Sequence, residues 1–253
     1  MLRIIPIILV RADSSRLPGK VYEEIGRGNR IVDLLIEQTT TVSTKINNNF
    51  KDVIVERPVI ATTSRAIDNR IYKEWNISCN IFRGATLPYD RVRQFSELHP
   101  NSFIWRINGD SPVIFTDLVT AGIRALLKSY DYICNGSILG ISNIITRTFP
   151  YGISLEIIST GFFIQTDSNL MSKDIREHIS PAISLNTSLF ISLTSKSWFQ
   201  NRQFSNDIHL TVDTKNDLAF FREMYGAFSS SFSAGFSVDD VINIYEKRRQ
   251  FNC

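Results

Sequence analysis

Between Arg11 and Lys20 the chain sets three cations, Arg11, Arg16 and Lys20, around Ser14, Pro18 and Gly19. Backbone N–H groups in such a loop can cradle phosphates while the Lys and Arg side chains neutralise them. The spacing is not that of a P-loop, because Ser14 stands where GxxxxGK needs its leading glycine and Val21 where Ser or Thr is needed. Gly26 and Gly28 do not open a dinucleotide fingerprint either, since Ile31 takes the third glycine position. A second group is Arg106, Gly109, Asp110 and Pro112, directly behind the apolar run Phe103–Ile107. An acid at a strand's carboxyl end, set in a glycine turn, suits a hard cation such as Mg²⁺. The third is Asp213, behind His209–Val212. Each also has a plainer reading: a solvated basic turn, a turn opening a helix, and the residue before a helix cap.

The elements that must position these groups alternate. Apolar runs at Ile4–Val10, Val53–Ala61, Asn80–Arg83, Phe103–Ile107 and Tyr130–Cys134 read as strands. Between Ile114 and Lys128 apolar residues recur at Leu118, Val119, Ile123, Leu126 and Leu127, a helical period. Weaker helical patterns occupy about 31–42, 66–75 and 89–98. Continuous apolar strands alternating with helices predict an α/β fold around a mostly parallel sheet. Open sheets of this kind bind ligands at the carboxyl ends of their strands, where the three groups lie.

From Asn135 to Phe204 the pattern loosens. Ile153–Ile158 and Leu189–Leu193 read as strands of a small antiparallel excursion, for substrate binding or dimerisation. The remainder predicts a short strand at His209–Val212, a capping box at Thr214 and Asp217, a flexible connector at Ser229–Gly235 and a last helix over Val238–Arg249. We expect one domain over residues 1–253, with 135–204 as the excursion.

Composition narrows the class. The 253 residues carry 28 Lys and Arg against 25 Asp and Glu, a formal charge of +3 that excludes a strongly basic nucleic-acid binder. Hydrophobic residues at 43% exclude a disordered chain. Cys79, Cys134 and Cys253 form no CxxC pair, so neither a zinc ribbon nor a disulfide framework is expected, and a cytoplasmic location is the simplest. Ile4–Val10 is too short for a membrane span and reads as a first buried strand; no membrane partner is expected.

In order along the chain, the Arg11–Lys20 loop, the Arg106–Pro112 turn and Val212-Asp213-Thr214 resemble the CMP-acid-sugar cytidylyltransferases. The branch is the spore-coat-polysaccharide type, related to the CMP-Kdo and CMP-acylneuraminate synthetases. Matching pieces include Ile60–Thr63, Phe82–Gly84, Asp90–Arg91, Tyr130–Tyr132, Arg147–Gly152, Glu156 and Arg176–Pro181. The resemblance covers about residues 3–226. It implies a Rossmann-like nucleotidyltransferase fold, a homodimer, and Mg²⁺-dependent transfer of CMP from CTP to an acidic sugar for surface polysaccharide synthesis, with pyrophosphate leaving.

By motif position, Arg11, Lys20, Asp110 and Asp213 are the implied catalytic residues, with both acids as metal ligands. Arg11, Ser14, Arg16, Gly19, Lys20, Gly84, Arg106 and Gly109 fall on the nucleotide. Arg147, Glu156, Arg176 and His178 fall on the acceptor, where His178 is either a general base or a structural residue. Val10, Asp13 and Asn108 depart from the family pattern, and the Arg83–Asp90 loop is one residue short. Asp13 would repel a triphosphate, so it must point away or pair with an arginine. Two other classes compete: a sugar-nucleotide glycosyltransferase, disfavoured by the lack of any Asp-x-Asp, and a non-catalytic nucleotide-binding relative.

Overall fold

A computed structural model describes residues 1–139, 144–166, 171–177, 190–192, 199, 204–205 and 207–252. The central strand is β1 (Leu2–Leu9). Its Ile4, Ile5, Ile7 and Ile8 are all buried, which is why the sequence reads as an unbroken apolar run. The side chains divide by the two-residue strand period. Ile4 and Ile8 join one core cluster, Ile5 and Ile7 the other, on the opposite face of the sheet.

Around β1 lie β4 (Val53–Val55), β5 (Val59–Thr63), β6 (Asn80–Gly84) and β7 (Phe103–Asn108). The sheet continues through β11 (Glu156–Ser159) and β8 (Tyr132–Cys134) to β12 (Phe190–Ser192) at the edge. The order is β12-β8-β11-β7-β1-β5-β6, with β4 also on β1. Pairing is parallel except at β11, which runs antiparallel to both β7 and β8. The α/β, mostly parallel expectation is met. Where the sequence predicts one strand at 53–61, two form, because Pro58 has no N–H for the ladder. β4 pairs with the start of β1 and β5 with its end.

The antiparallel excursion exists but is built from other residues. It is the hairpin of β9 (Gly136–Leu139) with β10 (Ile144–Arg147). The 153–158 and 189–193 predictions are corrected: their strands, β11 and β12, complete the main sheet instead. A further two-stranded ribbon joins β2 (Glu24–Gly26) to β3 (Asn29–Arg30).

Helices α1 (Ile31–Asn49), α2 (Asn69–Trp75), α3 (Pro88–Leu98) and α4 (Thr116–Leu126) fall where helical periods are predicted. Helix α1 runs past Val42 because Ile46 continues its buried stripe. Tyr89, Val92 and Phe95 of α3 pack with Phe163 of α5 (Thr160–Gln165) on the Ile5 face. α6 (Lys173–Glu177), α7 (Lys215–Ala227), α8 (Ser229–Ala234) and α9 (Val238–Phe251) follow. The predicted connector at 229–235 is therefore a helix, held by the fully buried Phe232. His209–Val212 is not a strand; it makes one bridge, from His209 to Tyr151. Among the described residues no helix is long and apolar enough to cross a membrane.

Candidate active site

Three segments of the chain meet at the carboxyl edge of the sheet: the loop after β1, the turn after β7 and residues 210–213. The loop after β1 turns at Gly19, whose φ of +73° is left-handed and favours glycine. The Gly19 N–H donates to the Ala12 carbonyl at 3.0 Å, closing the loop, and the Leu17 N–H donates to Ser14 Oγ at 3.4 Å. Lys20 then starts a 3-10 turn with only 8% of its surface exposed. Behind β7, the Gly109 N–H donates to the Leu9 carbonyl at 3.0 Å. A Cβ at Gly109 would come within 2.5 Å of that carbonyl oxygen, so only glycine lets β7 end this close to β1.

Asp110 follows Gly109, and its carbonyl accepts from the Val212 N–H at 2.8 Å. That bond brings Asp213 alongside. Lys20 Nζ now lies 2.9 Å from Asp110 Oδ2, 3.0 Å from Asp213 Oδ1 and 2.8 Å from the Val212 carbonyl. Arg16 Nη2 reaches Asp213 Oδ1 at 2.9 Å. Burial pushes the Asp213 carboxyl up, but the hydrogen bond and charge of Lys20, then Arg16, outweigh it and leave the group below the usual carboxylate range. The predicted capping box carries this placement. Asp217 accepts from the N–H groups of Asp213 and Thr214 at 3.0 and 2.7 Å, and buried Arg248 of α9 pairs with its other oxygen.

The rest of the loop is also engaged. Arg11 Nη1 lies 3.1 Å from Glu177, and Asp13 pairs with Arg65 at 2.6 Å, an arginine that the sequence reading did not single out. The backbone N–H groups of Ser14, Ser15 and Arg16 have no hydrogen-bond acceptor among the described residues. Gly84 ends β6, its carbonyl accepting from Ser64. Beside it Arg91, 1% exposed, donates to the carbonyls of Ala61, Ala85 and Thr86, and burial lowers its pKa to about 10. The sequence marks Asp90–Arg91 only as a matching piece and gives Arg91 no role, because a buried arginine that serves carbonyls leaves no charge pair to find.

Of the acceptor-side residues, the described side chains of Glu156 and Arg176 each pair with another residue and not with one another. Glu156 is buried within the sheet, paired with Arg106 and accepting from the Tyr132 hydroxyl at 2.9 Å. Arg106 spends its other contact on Asn108 Oδ1 at 2.9 Å. Glu156 on β11 stands directly opposite Arg106 on β7, so the register pairs them with each other. Arg176 pairs with Asp90 of α3 through two guanidinium nitrogens, rather than with its helix neighbours Asp174 or Glu177. Arg147 ends β10 at the open end of the hairpin, opposite Gly136. His178 lies outside the described residues.

Asp110 and Asp213 fit a divalent cation. An ammonium already bridges them, and their other oxygens, which accept from the Ser111 and Thr211 hydroxyls, are of the hard type Mg²⁺ takes. Among the described residues no group of three His, Cys, Asp or Glu could hold a metal. Mg²⁺ needs no such cage, since it commonly uses one or two carboxylates with substrate phosphates and water.

A basic loop facing two carboxylates at the carboxyl ends of a parallel sheet defines a nucleotide-handling α/β enzyme. A family model described as cytidylyltransferase matches residues 5–248, and the chain belongs to that family, whose members are CTP-dependent nucleotidyltransferases. The glycosyltransferase alternative falls. Over 231 residues the chain is 29% identical to an uncharacterised protein of Methanocaldococcus jannaschii, covering 90% of this chain and 85% of that one. It is 26% identical to the spore coat polysaccharide biosynthesis protein SpsF of Bacillus subtilis, covering 88% and 86%. A cytidylyltransferase from Leptospira borgpetersenii superposes with a TM-score of 0.77 at 22% identity, covering 99% and 97%. A CMP:2-keto-3-deoxy-manno-octonic acid synthetase complexed with CTP superposes at 0.59 and 14% identity, covering 89% and 99%. These two likenesses are of fold.

Proposed function

We propose that this enzyme transfers CMP from CTP to an acidic sugar, in the presence of Mg²⁺, for surface polysaccharide synthesis. The observation that carries this reading is the single ammonium of Lys20 set between Asp110 and Asp213 behind a loop of arginines. The acceptor hydroxyl attacks the α-phosphorus and gives up its proton to water, a new P–O bond forms, and the bond to the bridging oxygen breaks as pyrophosphate leaves. This chain needs no covalent nucleophile for that step; positioning and charge neutralisation suffice. Arg11, Arg16 and the amides of residues 14–16 hold the triphosphate, and Lys20 neutralises charge gathering on the departing pyrophosphate. Asp110 and Asp213 hold Mg²⁺, which when bound supplies further neutralisation and orientation of phosphate oxygens.

On the acceptor side the reading draws on the 135–204 excursion, with Arg147 the arginine best suited by type to a sugar carboxylate. SpsF is named for spore coat polysaccharide synthesis and the structural neighbour for a keto-acid sugar, which supports this substrate class. We take the working form to be a homodimer. Pyrophosphate release should be measured with each of CTP, UTP, ATP and GTP against acidic and neutral sugars, with and without Mg²⁺. Release confined to CTP, an acidic sugar and Mg²⁺ is expected; equal release with neutral sugars overturns the acceptor assignment.

A further inference from the structure

The segment after β5 carries a cation that the reaction scheme above leaves unused. The Val10 N–H donates to the Ala61 carbonyl at 3.1 Å, and the Ala12 N–H to Asp68 Oδ1 at 2.7 Å. Asp68 is wholly buried and also accepts from the Thr63 hydroxyl. Residues 10–12 are thus fastened at both ends to the β5 side, and residues 63–68 form a wall of the basic loop. Arg65 stands on that wall with its side chain 37% exposed. Its Nε donates to Thr63 Oγ1 at 3.2 Å, and its carbonyl accepts from Arg83 at 3.2 Å, so its base is held.

Asp13 lies between two guanidinium groups. One carboxylate oxygen is 2.6 Å from Arg65 Nη1, the other 3.8 Å from Arg11 Nε. The Asp13 carboxyl is held below its usual range, first by the hydrogen bond from Arg65, against the opposing effect of burial. Donors are nevertheless left over. Arg65 Nη2 makes no hydrogen bond, its nearest acid being Asp68 Oδ2 at 3.6 Å, and Asp13 Oδ1 accepts none either; the amides of Ser14, Ser15 and Arg16 have no acceptor among the described residues. A ligand rich in acceptor oxygens and without donors matches that surplus, and an ionised triphosphate is such a ligand.

We propose that Arg65 binds the triphosphate and that Asp13 is a positioning residue, holding Arg11 and Arg65 on the two sides of the loop. The inference deepens the CTP reading and rests on it. It also makes a prediction opposite to simple charge counting. An acid beside phosphates repels them, so its removal alone should tighten nucleotide binding. If Asp13 aims the two arginines, its removal weakens binding although the site becomes more positive.

The test measures CTP binding by calorimetry, and KM and kcat by pyrophosphate release, for wild type, R65Q, R65K, D13N and the D13N/R65Q double variant. Thermal unfolding without nucleotide reports folding separately. Loss of one charge-assisted contact corresponds to roughly a tenfold rise in Kd and KM for R65Q. R65K keeps the charge but not the fork and should recover part of it. D13N should weaken binding by about threefold, and the double variant should stay at least as weak as R65Q. D13N binding more tightly than wild type, or the double variant returning to wild-type affinity, means Arg65 only neutralises Asp13 and overturns the proposal. A wild-type protein that fails to bind CTP defeats the underlying reading instead, which separates the two failures.

Discussion

Two acid–cation clusters share strand β7 and the turn that follows it, and they behave differently. At the strand ends, Lys20 serves two carboxylates, with Arg16 sharing Asp213. Inside the sheet, Arg106 pairs with Glu156, and the Tyr132 hydroxyl donates to the other carboxylate oxygen. The inner cluster is complete: each charged group has its partner, and the Tyr132 hydroxyl is pushed well above its usual pKa, by burial first and the adjacent Glu156 second. The outer cluster faces a loop with unused amide donors and depends on a lysine that both acids share. Buried charge that is matched serves the fold; buried charge that is shared and adjoins unspent donors is fit for ligand chemistry.

The largest expected effect breaks the outer cluster. Asp110→Asn, Asp213→Asn or Lys20→Ala should each lower kcat by about 10²-fold or more, with the fold kept in the Asn variants and the unfolding temperature lowered in Asp213→Asn by loss of its ion pairs. Near-normal turnover in both Asn variants would make the two acids turn residues and erase the contrast. The inner cluster should respond the other way. Glu156→Ala strands the Arg106 charge and should cost about 3 kcal/mol, visible as a fall in melting temperature of roughly 10 °C. Were activity lost with stability intact, Glu156 would belong to the acceptor after all.

Smaller effects sharpen the contrast. Arg16 is 62% exposed, so Arg16→Ala should raise the KM for CTP by only about threefold, with the difference shrinking as salt is added. Asp213 has a depressed folded pKa, so its stabilising contribution is fully present above the unfolded value of about 4 and is lost as pH falls through the folded one. The acid limb of the melting curve should therefore be shallower in Asp213→Asn than in wild type. Least affected of all is Cys79. Burial raises its thiol to about 11, so alkylation of the native protein at pH 8, followed by peptide mass spectrometry, should leave it unmodified.

Much of this was legible in the sequence, because the signals were local. The β1 run, the amphipathic period of α4 and the Thr214–Asp217 capping box each declare themselves within a few residues. So does the basic loop, since its chemistry is contiguous. Pairing across distance was not legible. Glu156 could be placed at a strand but not between β7 and β8, where antiparallel register brings it opposite Arg106 and Cys134. Arg176 offered nearby acids as partners, yet tertiary packing gave it Asp90, 86 residues away. Arg65 had one usable signal. Asp13 demanded a counter-charge, and the loop's neighbouring strand end was the place to look.

Val212 serves the site through its backbone, which makes the position tolerant of side-chain change. Its N–H is given to the Asp110 carbonyl and its C=O to Lys20, so both acids are spaced by main-chain atoms that every residue except proline carries. The side chain contributes only packing and is fully buried. Replacing Val212 with another aliphatic residue should leave turnover almost untouched, whereas proline, which removes the donor, should disable the enzyme. The gap between the two carboxylates is thus written into the backbone, and drift in the surrounding side chains can proceed without retuning it.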